Sequence, residues 1–260
     1  MTSSRQTALI TGAGNGIGRA IAIAMAENDR NVVCADIDLS AAETTAATIR
    51  QLGVEAMALK VDVGETSEIS NMIQDIERQF GRLDILVNNA GVTRAADIME
   101  LTEADWDKIH RVNAKGVFFC LQNAAKQMIE QGNGGRIINI ASIAGRGFSG
   151  TSNAAYSASK GAVISLTKTA AQQLAKHDIT VNSICPGVTT TEIVEGLVKT
   201  RAEARGISVE AMVKEMTDNI PLKRANEPED IAAMAIFLAS SGARNITGQS
   251  YNVDGGLVTS

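Results

Sequence analysis

In the segment YSASK, Tyr156 and Lys160 stand four residues apart. On a helix that spacing puts both side chains on one face, one turn from each other. A phenol with a pKa near 10 is about one part in a thousand ionised at neutral pH, so using it as a base costs about 4 kcal/mol. An ammonium fixed about 4 to 5 Å away, at an effective dielectric of about 20, supplies a stabilisation of that size. The pattern therefore predicts a tyrosine that carries a proton and a lysine that tunes it. Ser142 closes the stretch RIINIAS upstream. There its hydroxyl can hydrogen-bond a substrate oxygen beside the phenol. Taken singly, these residues read as a strand-end cap, an amphipathic helix residue and a solvated charge. Their conjunction, in a chain with two tyrosines, points to proton transfer at a hydroxyl or carbonyl oxygen.

A second constellation is ITGAGNGIG, residues 10 to 18. It does not fit G-x-G-x-x-G, but it fits G-x-x-x-G-x-G through Gly12, Gly16 and Gly18, with Gly14 extra. In that reading Gly12 ends a strand, Gly16 lets the backbone approach phosphate, and Gly18 lets the helix pack closely. The amides at the helix start then face a pyrophosphate. Asp36 ends the next strand pattern, NVVCAD, where a carboxylate can accept from adenosine ribose hydroxyls and repels a 2′-phosphate. Asn15 and Ile37 are uncharged, so no arginine stands ready for that phosphate. NAD is favoured over NADP.

These residues need a scaffold, and the chain supplies a recurring one. Apolar, β-branched runs alternate with helical patterns: TALIT, NVVCAD, EAMALKVD, LDILVN, RIINIAS, ITVNSIC and SYNVD are the strand candidates. They lack two-residue alternation, which suits strands covered on both faces. The expectation is one α/β domain over residues 1–260, a Rossmann-like, doubly wound parallel sheet with helices on both faces. Single helices are expected over 104–131 and 156–176, a capping box at Thr102 and Asp105, and a helix start with Asn226 as its cap before Pro228. The stretch 189–224 breaks the rhythm with two short helical patterns, at the sheet edge where ligands bind; it reads as a lid over the substrate.

Composition removes other classes. A net charge of -5 and the lack of a basic run argue against nucleic acid. No apolar run approaches membrane-spanning length or a signal-peptide core, so no membrane partner and a cytoplasmic location are expected. Cys34, Cys120 and Cys185 are too scattered for a disulfide framework or a zinc site, and two histidines do not build a metal centre. No metal is expected.

With these motifs in place, the chain from Thr7 to Gly256 resembles the short-chain dehydrogenase/reductase family. The resemblance implies that Gly12, Asn15, Gly16, Ile17 and Gly18 bind the cofactor's phosphates, and that Asp62 and Val63 meet adenine. It implies that NNAG, Asn88 to Gly91, supports the sheet and the ribose side, with Asn89, Ala90 and Gly91 against the cofactor. Pro186 and Gly187 would lie against nicotinamide, with Thr189 and Thr191 at its carboxamide. Asn113, in HRVNAKG, would hold a water connecting Lys160 to solvent, and Tyr156 and Lys160 would also meet the cofactor, Lys160 by bonding the nicotinamide ribose. The implied assembly is a homotetramer through the helices at 104–131 and 156–176, and the implied hydride is pro-S.

The activity expected is reversible, NAD(H)-dependent oxidation of a secondary alcohol to its ketone. Arg146, Phe148, Ser149, Ser152 and Asn153 suggest a polyol, sugar alcohol or hydroxyketone, and the ending TGQSYNVDGG resembles polyol and acetoin dehydrogenases of the family. The alternative is a 3-oxoacyl-thioester reductase, whose carrier-protein partner would want the basic patch of Arg201, Arg205, Lys223 and Arg224. A non-catalytic dinucleotide-sensing module would be expected to have lost Tyr156 or Lys160, and a purely structural protein leaves both constellations as coincidence.

Overall fold

A computed structural model describes residues 5–148 and 152–259. The chain runs β1 (Thr7–Thr11), α1 (Gly16–Glu27), β2 (Asn31–Asp36), α2 (Leu39–Arg50), β3 (Ala56–Lys60), α3 (Thr66–Phe80) and β4 (Ile85–Asn88). It continues with α4 (Glu103–His110), α5 (Val117–Gln131), β5 (Gly135–Ile140), α6 (Ala154–Leu174) and β6 (Ile179–Pro186). The last elements are α7 (Glu192–Arg205), α8 (Val209–Asp218), α9 (Pro228–Ala239) and β7 (Ser250–Val253). The sheet has seven strands in the order β3-β2-β1-β4-β5-β6-β7, and every pairing is parallel.

Successive strand side chains point to opposite faces, and both faces are covered. Ala8, Ile10, Val32, Cys34 and Val87 join Ile21, Met25, Ile49 and Leu238 in one core. The intervening Leu9, Val33 and Leu86 join Ile69, Met72, Ile76, Leu121 and Met128 in the other. The uninterrupted apolar strands in the sequence have this cause. From β1 the chain builds outward to β3, then crosses back so that β4 pairs on the other side of β1. The carboxyl ends of β1 and β4 therefore face a crevice at the topological switch point.

Two local readings differ from expectation. The helix expected over 104–131 divides: between α4 and α5 lies a π-helical segment, Arg111–Gly116. The capping box at Thr102 and Asp105 is present, but α9 is capped by Glu227, whose partner in its box is Asp230, rather than by Asn226. Asn226 instead turns inward: its Nδ2 donates to the Val253 carbonyl at 2.6 Å. The stretch 189–224 carries α7 and α8, which share a small core of Val198, Ala202 and Met212. Its first residue, Thr189, forms a parallel bridge with Asn226, just beyond its last. Among the described residues, no helix is long and apolar enough to cross a membrane.

Candidate active site

A cleft of about 400 Å³ follows the switch-point crevice. Every residue expected at the site lines it except Gly18 and Asn113. At one end lie Asp36, Ile37, Asp62 and Val63, in the middle the loop Gly12 to Ile17 with Asn89 to Gly91, and at the other end Ser142, Tyr156, Lys160, Pro186, Gly187, Thr189 and Thr191.

The glycine loop has the shape of an anion cradle. Gly12 and Gly16 adopt left-handed backbone, φ 66° and 52°, and Asn15 caps α1 in extended conformation without a side-chain bond to its amides. Those amides and the positive end of the helix dipole face the cleft. A Cβ on Gly18 would lie 1.9 Å from the Gly12 carbonyl oxygen, so Gly18 shapes the loop from behind. Asn89 holds it from the side, its Nδ2 donating to the carbonyls of Thr11 and Gly12 at 3.0 Å each. Thr11 Oγ1 in turn accepts from the amides of Asn89 and Ala90 at 3.1 Å. Asn88 serves the sheet: it donates to Asn139 Oδ1 at 2.9 Å, and Asn139 donates to Thr167 on α6 at 2.9 Å.

Gly14 is not spare. Its amide donates to Asp36 Oδ2 at 2.8 Å, and a Cβ there would meet that oxygen at 2.9 Å and Ala41 Cβ at 2.6 Å. Asp36 Oδ1 accepts from the Asp38 amide at 3.0 Å. The carboxylate is thus oriented before any ligand arrives. These features fit a dinucleotide: phosphate at the α1 amides, a ribose diol at Asp36, and nicotinamide toward Tyr156.

At the chemical end, Ser142 follows β5 and caps a short 3₁₀ turn, Ile143–Arg146, where its Oγ accepts from the Ala144 amide at 3.1 Å. Tyr156 sits in the first turn of α6, its amide donating to Asn153 Oδ1 at 2.8 Å. Asn153 is anchored in turn through Nδ2 to the Arg94 carbonyl at 2.7 Å. One turn on, Lys160 is 3% exposed, donates to the Ile140 carbonyl at 2.8 Å and stands 5.7 Å from the centre of the Tyr156 ring. Burial pushes the Tyr156 phenol above its ordinary pKa, and the hydrogen bond with Ser142 opposes that rise. Burial pulls Lys160 down to about 8. One donor of the lysine is therefore engaged by a backbone carbonyl, and the hydrogen bond with Ser142 favours the phenolate.

Asn113 is buried in the π segment. Its Oδ1 accepts from the Val92 amide at 2.8 Å, and its Nδ2 donates to the Val92 carbonyl at 2.9 Å and to Ser159 Oγ at 3.2 Å. It reaches Lys160 only across Gly91, where a Cβ would lie 3.4 Å from Asn113 Oδ1 and 3.5 Å from Lys160 Nζ.

Beyond Tyr156 a smaller cavity of about 100 Å³ opens between Thr93, Ser142, Ser152 and Arg201 on its polar side and Val188, Val194, Val198 and Met216 on its apolar side. Of the residues expected to shape the substrate pocket, Ser152 reaches this cavity. Asn153 is used as a cap, Arg146 donates to the Ser250 carbonyl at 2.5 Å, and Phe148 packs beside Ile143 and Val163. Ser149 lies outside the described residues. In the expected basic patch, Arg205 is paired with Glu215 at 2.6 Å, Lys223 donates to the Asp218 carbonyl at 2.5 Å, and Arg201 lines the small cavity. Cys34, Cys120 and Cys185 are buried free thiols. His110 stacks on Trp106 at 4.0 Å. Among the described residues no cluster of three or more His, Cys, Asp or Glu could hold a metal.

A seven-stranded parallel sheet with a dinucleotide-shaped crevice and a Ser-Tyr-Lys cluster at one end defines a class, and comparison with known proteins agrees. The chain belongs to the short-chain dehydrogenase/reductase family and is an oxidoreductase acting on CH–OH groups. A family profile described as enoyl-(acyl carrier protein) reductase matches residues 12–258. A 3-oxoacyl-[acyl-carrier-protein] reductase of Staphylococcus epidermidis is 41% identical, over 97% of this chain and 98% of its own. Galactitol 2-dehydrogenase of Agrobacterium fabrum is 40% identical, over 98% of each. The crystal structure of a short-chain type dehydrogenase/reductase from Mycobacterium marinum superposes with a TM-score of 0.90 at 34% identity, covering 99% of this chain and 97% of that one.

Proposed function

We propose that the protein interconverts a small polyhydroxylated secondary alcohol and its ketone with NAD as the redox partner. The observation that carries this reading is the single cleft that joins Asp36 at one end to Ser142, Tyr156 and Lys160 at the other. The preset Asp36 carboxylate favours a free 2′-hydroxyl and disfavours a 2′-phosphate, which selects NAD over NADP. When bound, the nicotinamide supplies the hydride acceptor or donor. Tyr156 takes or returns the hydroxyl proton, Ser142 orients the same oxygen and favours the phenolate, and Lys160 and Asn113 connect the phenol to solvent protons. The hydroxyls of Thr93 and Ser152 at the small cavity suit neighbouring hydroxyls of a polyol, and similarity to galactitol 2-dehydrogenase supports that class.

The apolar wall of Val188, Val194, Val198 and Met216 favours one second reading, reduction of a 3-oxoacyl thioester. A screen of NAD reduction over polyols, hydroxy acids, hydroxysteroids and 3-hydroxyacyl thioesters, each repeated with NADP, separates the two. Turnover of polyols with NAD is expected. Preference for thioesters with NADP would replace this reading with the second. The reading includes a homotetramer, supported by exposed Trp106 on α4 and Phe118 and Ile129 on α5; sedimentation tests it. The segment 189–224 serves as the lid.

A further inference from the structure

The π segment is the one irregularity in the long helical stretch, and it packs on the loop that forms the adenine end of the cleft. Its first residue, Arg111, donates through Nη2 to Asp62 Oδ2 at 2.9 Å and through Nη1 to Glu65 Oε1 at 2.7 Å. The other Asp62 oxygen accepts from the Gly64 amide at 2.8 Å. With both oxygens held by fixed donors, the carboxylate has one orientation. The fit beneath the guanidinium is close: a Cβ on Gly64 would lie 2.4 Å from Arg111 Nη1. Farther along the segment, Lys115 donates to the Gly64 carbonyl at 3.2 Å, and Gly116 packs so tightly on the loop that a Cβ would lie 2.8 Å from the Val63 carbonyl oxygen.

Asn113, between these fastenings, points the other way, toward Val92 and Ser159. A π turn is rare and poorly self-sustaining, so it persists where outside contacts hold it. Here those contacts come from two sides: the loop that carries Asp62 and Val63 holds Arg111, Lys115 and Gly116, and Val92 with Ser159 holds Asn113.

We propose that Arg111 is a positioning residue that binds the adenine end of the cleft to the turn carrying Asn113, so that cofactor affinity and the proton path at Lys160 depend on one support. The proposal rests on the dinucleotide reading of the cleft. Removing the guanidinium takes a donor from Asp62 and at the same time frees the π turn to relax toward ordinary helical register. Both ends of the site should then respond to one substitution far from the reacting atoms.

The test compares Arg111→Met, Arg111→Lys and Gly64→Ala, the last displacing the guanidinium while leaving every charge in the chain. ADP-ribose, used as a competitive inhibitor against NAD, reports on the adenine end, and kcat with a polyol identified by the screen reports on the proton path. For Arg111→Met and Gly64→Ala the inhibition constant should rise about tenfold, the loss of roughly one charge-assisted hydrogen bond. Their kcat should fall by a similar factor, and Arg111→Lys should recover most of both. In an Asn113→Ala background, Arg111→Met should lower kcat no further, because the two act through one element. An unchanged inhibition constant, a kcat loss of equal size in both backgrounds, or a Lys variant no better than Met would overturn the proposal. If ADP-ribose fails to compete with the unaltered protein, the dinucleotide reading itself falls, and the proposal with it.

Discussion

Replacing Lys160 by Met should leave the fold at least as stable at neutral pH while abolishing turnover. Burial lowers the lysine from 10.5 to about 8. Between those values the unfolded chain holds a proton that the folded chain has released, so the folded state gains stability as pH rises through this window. At about 1.4 kcal/mol per unit, the whole difference is about 3 kcal/mol: a cost present below pH 8 and gone above pH 10.5. Methionine keeps the apolar stem but leaves the Ile140 carbonyl without its donor, a loss of about 1 to 3 kcal/mol at every pH. The Met variant should therefore be as stable as the unaltered protein, or up to about 2 kcal/mol more stable, at pH 7, and about 1 to 3 kcal/mol less stable near pH 10.5. Cys34 and Cys120, raised to about 12 by burial, act in the opposite sense above pH 9. Their thiols ionise first in the unfolded chain, so stability falls there. They are present in both proteins and cancel in the comparison. Denaturant unfolding of the pair at pH 7 and pH 10 measures the swing. A stability gap independent of pH would refute the argument that a buried ammonium is being carried at an energetic cost for its chemistry.

Two further substitutions probe Asp36 and the segment 189–224. Asp36→Ala removes an acceptor held by two backbone amides; kcat/KM with NAD should fall about ten- to a hundredfold, the worth of hydrogen bonds to a charged group, while activity with NADP holds or rises. Initial rates with both cofactors decide it, and an unchanged ratio removes Asp36 as the selector. Asn226→Ala removes one of the two donors to the Val253 carbonyl, leaving the Gly187 amide, and weakens the clasp that closes residues 189–224 at their base. Limited proteolysis within α7 and α8 should accelerate, and KM for cofactor should rise several-fold with kcat little changed; identical digestion rates would show that Asn226 does not restrain this segment.

The βα rhythm was legible because the central strands are covered on both faces while the edge strands β3 and β7 are half-buried, so composition marks the strands. The positions of Tyr156, Lys160 and Ser142 followed from helix geometry and from a strand end. Less visible was whatever depends on contacts distant in sequence. Nothing in HRVNAKG distinguishes a π turn from a regular one, since the partners of Arg111, Asn113 and Lys115 are residues 62 to 65, Val92 and Ser159, all distant in sequence. Gly14 looked dispensable because its constraint is Asp36, at the end of the neighbouring strand. Arg146 and Asn153 looked like pocket residues because they are polar and near Tyr156 in sequence, whereas one is turned to a β7 carbonyl and the other caps α6. The lysine's tuning role was inferred from spacing alone; the carbonyl of Ile140 that engages it belongs to β5.

The central claim is that Tyr156 carries the proton in an alcohol-to-ketone conversion while contributing little to cofactor binding. Turnover by Tyr156→Phe, measured beside NADH binding by fluorescence, tests it most directly. The phenyl ring keeps the packing of α6 and removes only the hydroxyl that carries the transferable proton, so NADH affinity should stay within about twofold while kcat falls at least about a thousandfold. A variant with kcat within tenfold of the unaltered protein would contradict the account.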